Sequence, residues 1–213
     1  METARLPVLI KDTPTGVCLA NSAEELSVIH RPDCAAAIWQ RQPLSAFQNW
    51  IDRLPPEVLP EARLITRPDR IPEAVREICD SSGIPNCQER ARMIDDIGAL
   101  AMIFAGLMQA QWMRLRLDVV NTNACRKFHV DTVSARLICT YRGTGTQYGT
   151  GHGRDDPRRI FTVPAGSPIL LRGSLWPEQP ASGLRHRSPP IEGSGETRLL
   201  LVLDPVSGSD EEI

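Results

Sequence analysis

The chain has 213 residues, 41% of them hydrophobic and 23% charged, with a formal charge of -2. This is enough to bury one sizeable core, and it excludes wholesale disorder and a strong electrostatic drive to wrap nucleic acid. No apolar run approaches the roughly 20 residues that span a bilayer, so neither nucleic acid nor membrane is an expected partner.

In chain order, Leu6–Ile10 and Val17–Ala20 read as short edge strands around the Pro14-Thr15-Gly16 turn. Ser22 with Glu25 three residues on is a capping-box pattern before Leu26, Val28 and Ile29. The run Cys34 to Trp39 after Pro32-Asp33 reads as a restarted helix. Phe47, Trp50, Ile51 and Leu54 fall at helical spacing before Pro55-Pro56, and Pro72 to Cys79 forms another short helix. The strongest helix is expected from about Asn86 to about Arg116, where one apolar stripe runs from Met93 to Trp112; at 1.5 Å per residue it would be about 45 Å long.

The texture then changes. Leu117–Val120, Ala135–Tyr141, Arg159–Val163, Ile169–Arg172 and Thr197–Leu203 are strand-like, separated by turns such as Gly143-Thr144-Gly145. Helices first and strands later predict an α+β fold, a helical layer against an antiparallel barrel or sandwich. We expect a single domain over 1–213, with a mainly helical part at 1–116, a strand-rich core at 117–204 and a flexible tail at 205–213.

The six cysteines (18, 34, 79, 87, 125 and 139) contain no CxxC pair and are too sparse for a secreted disulfide scaffold. With no signal-peptide pattern, reduced thiols in the cytoplasm are expected.

Chemistry gathers at Phe128-His129-Val130-Asp131. Residues i and i+2 of a strand share a face, so His129 and Asp131 can meet one metal ion. Of the three other histidines, His186 is placed best to add a third ligand. Twelve residues later Arg198 lies in the apolar run Thr197–Leu203, where a buried cation needs a partner. That partner is either the carboxylate of a small anionic cosubstrate or an internal acid, Glu196 or Asp204. His30 with Cys34 reads as structural.

His129-Val130-Asp131, then Gly166-Ser167-Pro168 to Arg172-Gly173, then His186, Pro189, Gly195 and Arg198 resemble the H-x-D…H…R pattern of the iron(II)/2-oxoglutarate-dependent dioxygenases. The resemblance covers about 117–204 and implies a double-stranded β-helix, or jelly roll. It implies Fe(II) on His129, Asp131 and His186, with Arg198 holding 2-oxoglutarate and Tyr141, or alternatively Thr140, donating a second hydrogen bond to it. The implied reaction is hydroxylation of a substrate that the sequence does not name. The pattern departs at Leu200, where such enzymes often carry Ser or Thr.

More closely, Cys125 to Asp131, Arg136 to Thr146 and His186-Arg187-Ser188-Pro189-Pro190 are similar to the bacterial domain of unknown function 1826 family, a likeness that extends to Ala37–Arg41. That family is associated with zinc homeostasis. The alternative is therefore a non-catalytic Zn(II)-binding protein in which Cys125 joins His129, Asp131 and His186, a donor set suited to tetrahedral zinc. A third reading is a metal-free jelly roll that binds an anion through Arg172, Arg187 and Arg198.

Overall fold

The computed structural model describes residues 12–151, 155–178 and 182–208. The expected strand Leu6–Ile10, His152 and the end of the tail lie outside the described residues. Among the described residues, three α-helices, α1 (Ser45–Arg53), α2 (Ile71–Ser82) and α3 (Gln88–Met108), are combined with ten strands. These are β1 (Val17–Ala20), β2 (Ala36–Trp39), β3 (Ala62–Thr66), β4 (Trp112–Val120), β5 (Ala135–Arg142), β6 (Gln147–Thr150), β7 (Phe161–Thr162), β8 (Pro168–Arg172), β9 (Leu184–Arg187) and β10 (Arg198–Val206).

The strands form a seven-stranded sheet in the order β1-β2-β8-β5-β10-β4-β3 and a three-stranded sheet in the order β7-β6-β9. Alternation decides what each face of the large sheet meets. Leu137 and Cys139 of β5, Leu199, Leu201 and Leu203 of β10, and Met113, Leu115 and Leu117 of β4 pack on one side with Ile51, Val75, Ile97 and Phe104 of the helices. On the other side Ile138, Ile169, Leu200 and Val202 pack with Tyr148 and Leu184 of the small sheet. Each such side chain removed from water contributes roughly 1.5–3 kcal/mol. The result is a helical layer, a large mainly antiparallel sheet, and a small sheet on the face away from the helices.

Four expectations change. The run Cys34–Trp39 is not helical: Ala36–Trp39 is β2, parallel to β1 and antiparallel to β8. Ala36, Ala37 and Ile38 are fully buried between two layers, and a strand covered on both faces reads as an unbroken apolar run that periodicity cannot tell from a helix. The long helix stops eight residues early, at Met108, because Gln109 turns left-handed (φ 51°) and caps it onto Ala105 and Gly106. The period-two series Met113, Leu115, Leu117 then takes over as β4. The N-terminal part is also less helical than expected, since it supplies β1 and β2 at one end of the large sheet and β3 at the other. Strand β10 runs on to Val206, two residues into the expected tail.

The capping pattern at Ser22 does open a turn, a 3₁₀ helix over Glu24–His30, with the Glu25 amide donating to Ser22 Oγ and Glu25 Oε2 accepting from the Asn21 amide at 2.7 Å. No helix among the described residues is long and apolar enough to cross a membrane.

Candidate metal centre

Where the chain leaves β4 and returns as β5, His129 pairs with His186 of β9 through reciprocal backbone hydrogen bonds of 3.0 and 3.1 Å. Partners in such a bridge project to the same side, and Asp131 follows two residues later. The turn after Asp131 is clamped from the other side: the Ser174 amide donates to Asp131 O, and Gly173 sits so close that a Cβ there would stand 1.9 Å from Val133 O.

One ligand atom from each of His129, Asp131 and His186 lies within 4.8 Å of the others. His186 Nε2 is 3.0 Å from Asp131 Oδ2, His129 Nε2 is 3.4 Å from Asp131 Oδ1, and the imidazole centroids are 4.6 Å apart. His129 Nδ1 lies 2.8 Å from Lys127 O. A carbonyl only accepts, so Nδ1 carries the proton and Nε2 keeps a lone pair for a ligand. Asp131 Oδ2 is buried and accepts no hydrogen bond among the described residues.

The electrostatics follow from these contacts. The His129 imidazolium is favoured by its hydrogen bond to Asp131 against partial burial, so its pKa rises, whereas burial pushes His186 down despite Asp131 beside it. Burial acts to raise Asp131, but His129, His186 and Arg136 overcome it and hold the carboxyl well below the usual range. The site thus offers two imidazole nitrogens and an ionised carboxylate, the donor set of a facial 2-His-1-carboxylate metal site.

The other expected residues divide. Cys125 is an exposed free cysteine outside the ligand group, which leaves the four-ligand zinc arrangement without its thiolate. Arg198 is fully buried at the start of β10, yet its Nε donates to Thr144 O at 2.7 Å while both terminal nitrogens lack a hydrogen-bond partner among the described residues. Burial pulls its pKa down to about 10. Neither expected acid pairs with it: Glu196 takes the Thr144 amide and hydroxyl at 2.7 and 2.9 Å, and Asp204 pairs with Arg136.

Tyr141 is removed from the role first assigned to it. Between Leu199↔Arg142 and Leu200↔Thr140 the β5 register skips one residue, a bulge that turns both Tyr141 and Arg142 toward the helices. There the Tyr141 hydroxyl donates to Asp96 at 2.7 Å, and Asp96 is also gripped by both terminal nitrogens of Arg41. Thr140, opposite Leu200, stays on the face that Leu200 shares with Arg198. Tyr141→Phe is therefore expected to cost about 1.5–3 kcal/mol of stability, as loss of a hydrogen bond to a charged group does. Paired urea denaturation of the variant and the wild type checks it.

Arg172 and Arg187 are also committed elsewhere. Arg172 donates to the carbonyls of Ile29, Arg31 and Glu178 and lies over Trp176, while Arg187 donates to Gln147 and lies over Phe128. The anion-binding trio is thus reduced to Arg198.

Sequence reasoning missed Arg136, which joins Asp131 to Asp204. The signal was present, since Arg136 is a cation inside the apolar strand Ala135–Tyr141, the same feature that singled out Arg198. It also missed Tyr148, across from His186, whose buried hydroxyl has no partner among the described residues.

The arrangement of helices, large sheet and small sheet is similar to that of two solved plant dioxygenases. The dioxygenase for auxin oxidation 1 from Arabidopsis thaliana, in its binary complex with 2-oxoglutarate, superposes with a TM-score of 0.55 at 11% identity, covering 94% of each chain. The rice dioxygenase for auxin oxidation gives 0.52 at 12% identity, covering 93% of this chain and 84% of the other. No curated protein matches the sequence significantly. By sequence the chain belongs to the family described as protein of unknown function (DUF1826), which matches residues 20–204.

Proposed function

We propose that this protein is an iron(II)/2-oxoglutarate-dependent oxygenase built on a double-stranded β-helix. The strand order supports the fold reading: β4-β10-β5-β8 faces the His129 segment, β9, β6 and β7, two four-membered layers wound from one chain. The observation that carries the function is the convergence of His129, Asp131 and His186 around a buried carboxylate oxygen that accepts no hydrogen bond among the described residues. Three protein ligands on one face of an octahedral ion leave positions for cosubstrate and oxygen. The exposed Cys125 weighs against the zinc-storage alternative, whose closed site needed a fourth ligand.

The residues present fit the group. His129 and His186 would donate Nε2 and Asp131 would donate Oδ2. Bound Fe(II), with 2-oxoglutarate and O2, supplies the oxidising power to hydroxylate an unactivated position. Arg198 would clamp the distal carboxylate of 2-oxoglutarate with its two unpartnered nitrogens. Thr140 is the hydroxyl on the matching face. Leu200 and Val202 keep that interior dry, which protects a reactive centre from water. A cavity of about 290 Å³ bounded by His186, Val130, Ala35, Leu171 and Leu184 is the place for the substrate, and its mostly apolar wall suits a small molecule.

Anaerobic addition of Fe(II) and 2-oxoglutarate is expected to give a weak visible charge-transfer band. No band, together with no succinate formed under oxygen, overturns the proposal.

A further inference from the structure

The carboxylate of Asp131 is held asymmetrically. Its Oδ1 accepts from Arg136 Nη1 at 2.5 Å, whereas Oδ2 has only the His186 Nε2 at 3.0 Å beside it and no hydrogen bond among the described residues. The remaining nitrogens of Arg136 bind Asp204 as a fork: Nε to Oδ1 at 2.7 Å and Nη2 to Oδ2 at 2.8 Å. Asp204 is 1% exposed. Arg136 and Asp204 lie on neighbouring strands in the register Leu137↔Leu203, so the sheet itself fixes the fork. Arg116, the next cation on that face, is 3.7 Å from its own acid, Asp118.

We infer that Arg136 is a positioning residue for the metal centre: it restricts Asp131 to binding an ion through one oxygen, while Asp204 offsets its charge so that a dication is tolerated. This rests on the metal-site reading above. The physical reason is twofold. A carboxylate with both oxygens free can chelate an ion through both and consume a coordination position that the chemistry needs. A guanidinium this close to a ligand also repels a dication. The wild-type array of two carboxylates and one guanidinium carries one net negative charge. Removing the guanidinium makes it two, neutralising Asp204 makes it zero, and doing both restores one.

A role confined to holding the fold predicts that each change weakens metal binding. A positioning and charge-setting role predicts opposite signs. In Co(II) titrations of the metal-free full chain, followed by d–d absorption with thermal melting as the folding control, R136Q is expected to bind about tenfold tighter than wild type. D204N is expected to bind about tenfold weaker, and R136Q/D204N within about threefold of wild type, the scale on which groups behind metal ligands act. If D204N does not fold, R136Q and the double variant still decide. An R136Q variant that binds no tighter than wild type, or a double variant weaker than D204N, overturns this inference alone. Wild-type protein that takes up no Co(II) overturns the metal-site reading with it.

Discussion

His186→Ala is expected to abolish stoichiometric metal binding, lowering affinity for Fe(II) or Co(II) by more than about 100-fold, beyond the 10–100-fold typical of groups behind the ligands. His186 is the ligand contributed by the small sheet; the other two come from the segment between β4 and β5. Removing its imidazole leaves one nitrogen and one carboxylate, too few to hold an ion against water. The fold should survive, because the backbone bridge to His129 does not use the side chain and Asp131 keeps Arg136. Bound metal at 100 times its dissociation constant would stabilise the wild type by about 2.7 kcal/mol. That increment should vanish in the variant while the metal-free melting temperature stays close. Equilibrium dialysis and paired melts measure both, and an ion retained by His186→Ala removes His186 from the ligand set.

Arg198→Met is expected to separate stability from ligand binding. A fully buried guanidinium with two unpartnered nitrogens costs the protein in the absence of ligand, and replacing a buried ion with an apolar side chain of similar volume is often neutral or stabilising. Set against the lost hydrogen bond to Thr144 O, Arg198→Met should retain or gain stability, by up to about 2 kcal/mol. Its 2-oxoglutarate affinity should fall by more than about 100-fold, since two charge-assisted hydrogen bonds at roughly 1.5–3 kcal/mol each are removed. Calorimetric titration into metal-loaded protein reads the second effect and urea unfolding the first. A destabilised variant with unchanged affinity would make Arg198 a structural residue.

What could be read along the chain was local. Phe47, Trp50 and Ile51 mark α1 because their spacing matches one face of a helix, and the strand character of Ala135–Tyr141 and Thr197–Leu203 follows from apolar and β-branched runs between turns. The same reasoning failed at Cys34–Trp39, where burial on both faces erased the period, and at Trp112, which fits the stripe of α3 but opens β4. It also failed at short strands such as β9, whose alternation of Leu184 and His186 with Arg185 and Arg187 is too brief to stand out.

The candidate site divides in the same way. By itself the sequence determined that an imidazole and a carboxylate stand two residues apart, and that cations such as Arg136 and Arg198 lie inside apolar strands; the strand expected around His129 is in the structure a single bridge to His186. Only the tertiary structure decided which partners those groups meet. Strand pairing brings His186 across from His129, a one-residue bulge sends Tyr141 to Asp96, and the β5–β10 register gives Asp204 to Arg136 and leaves Arg198 facing the interior without an acid. Each is a contact between residues far apart in the chain, fixed by register and packing, to which no local pattern is sensitive.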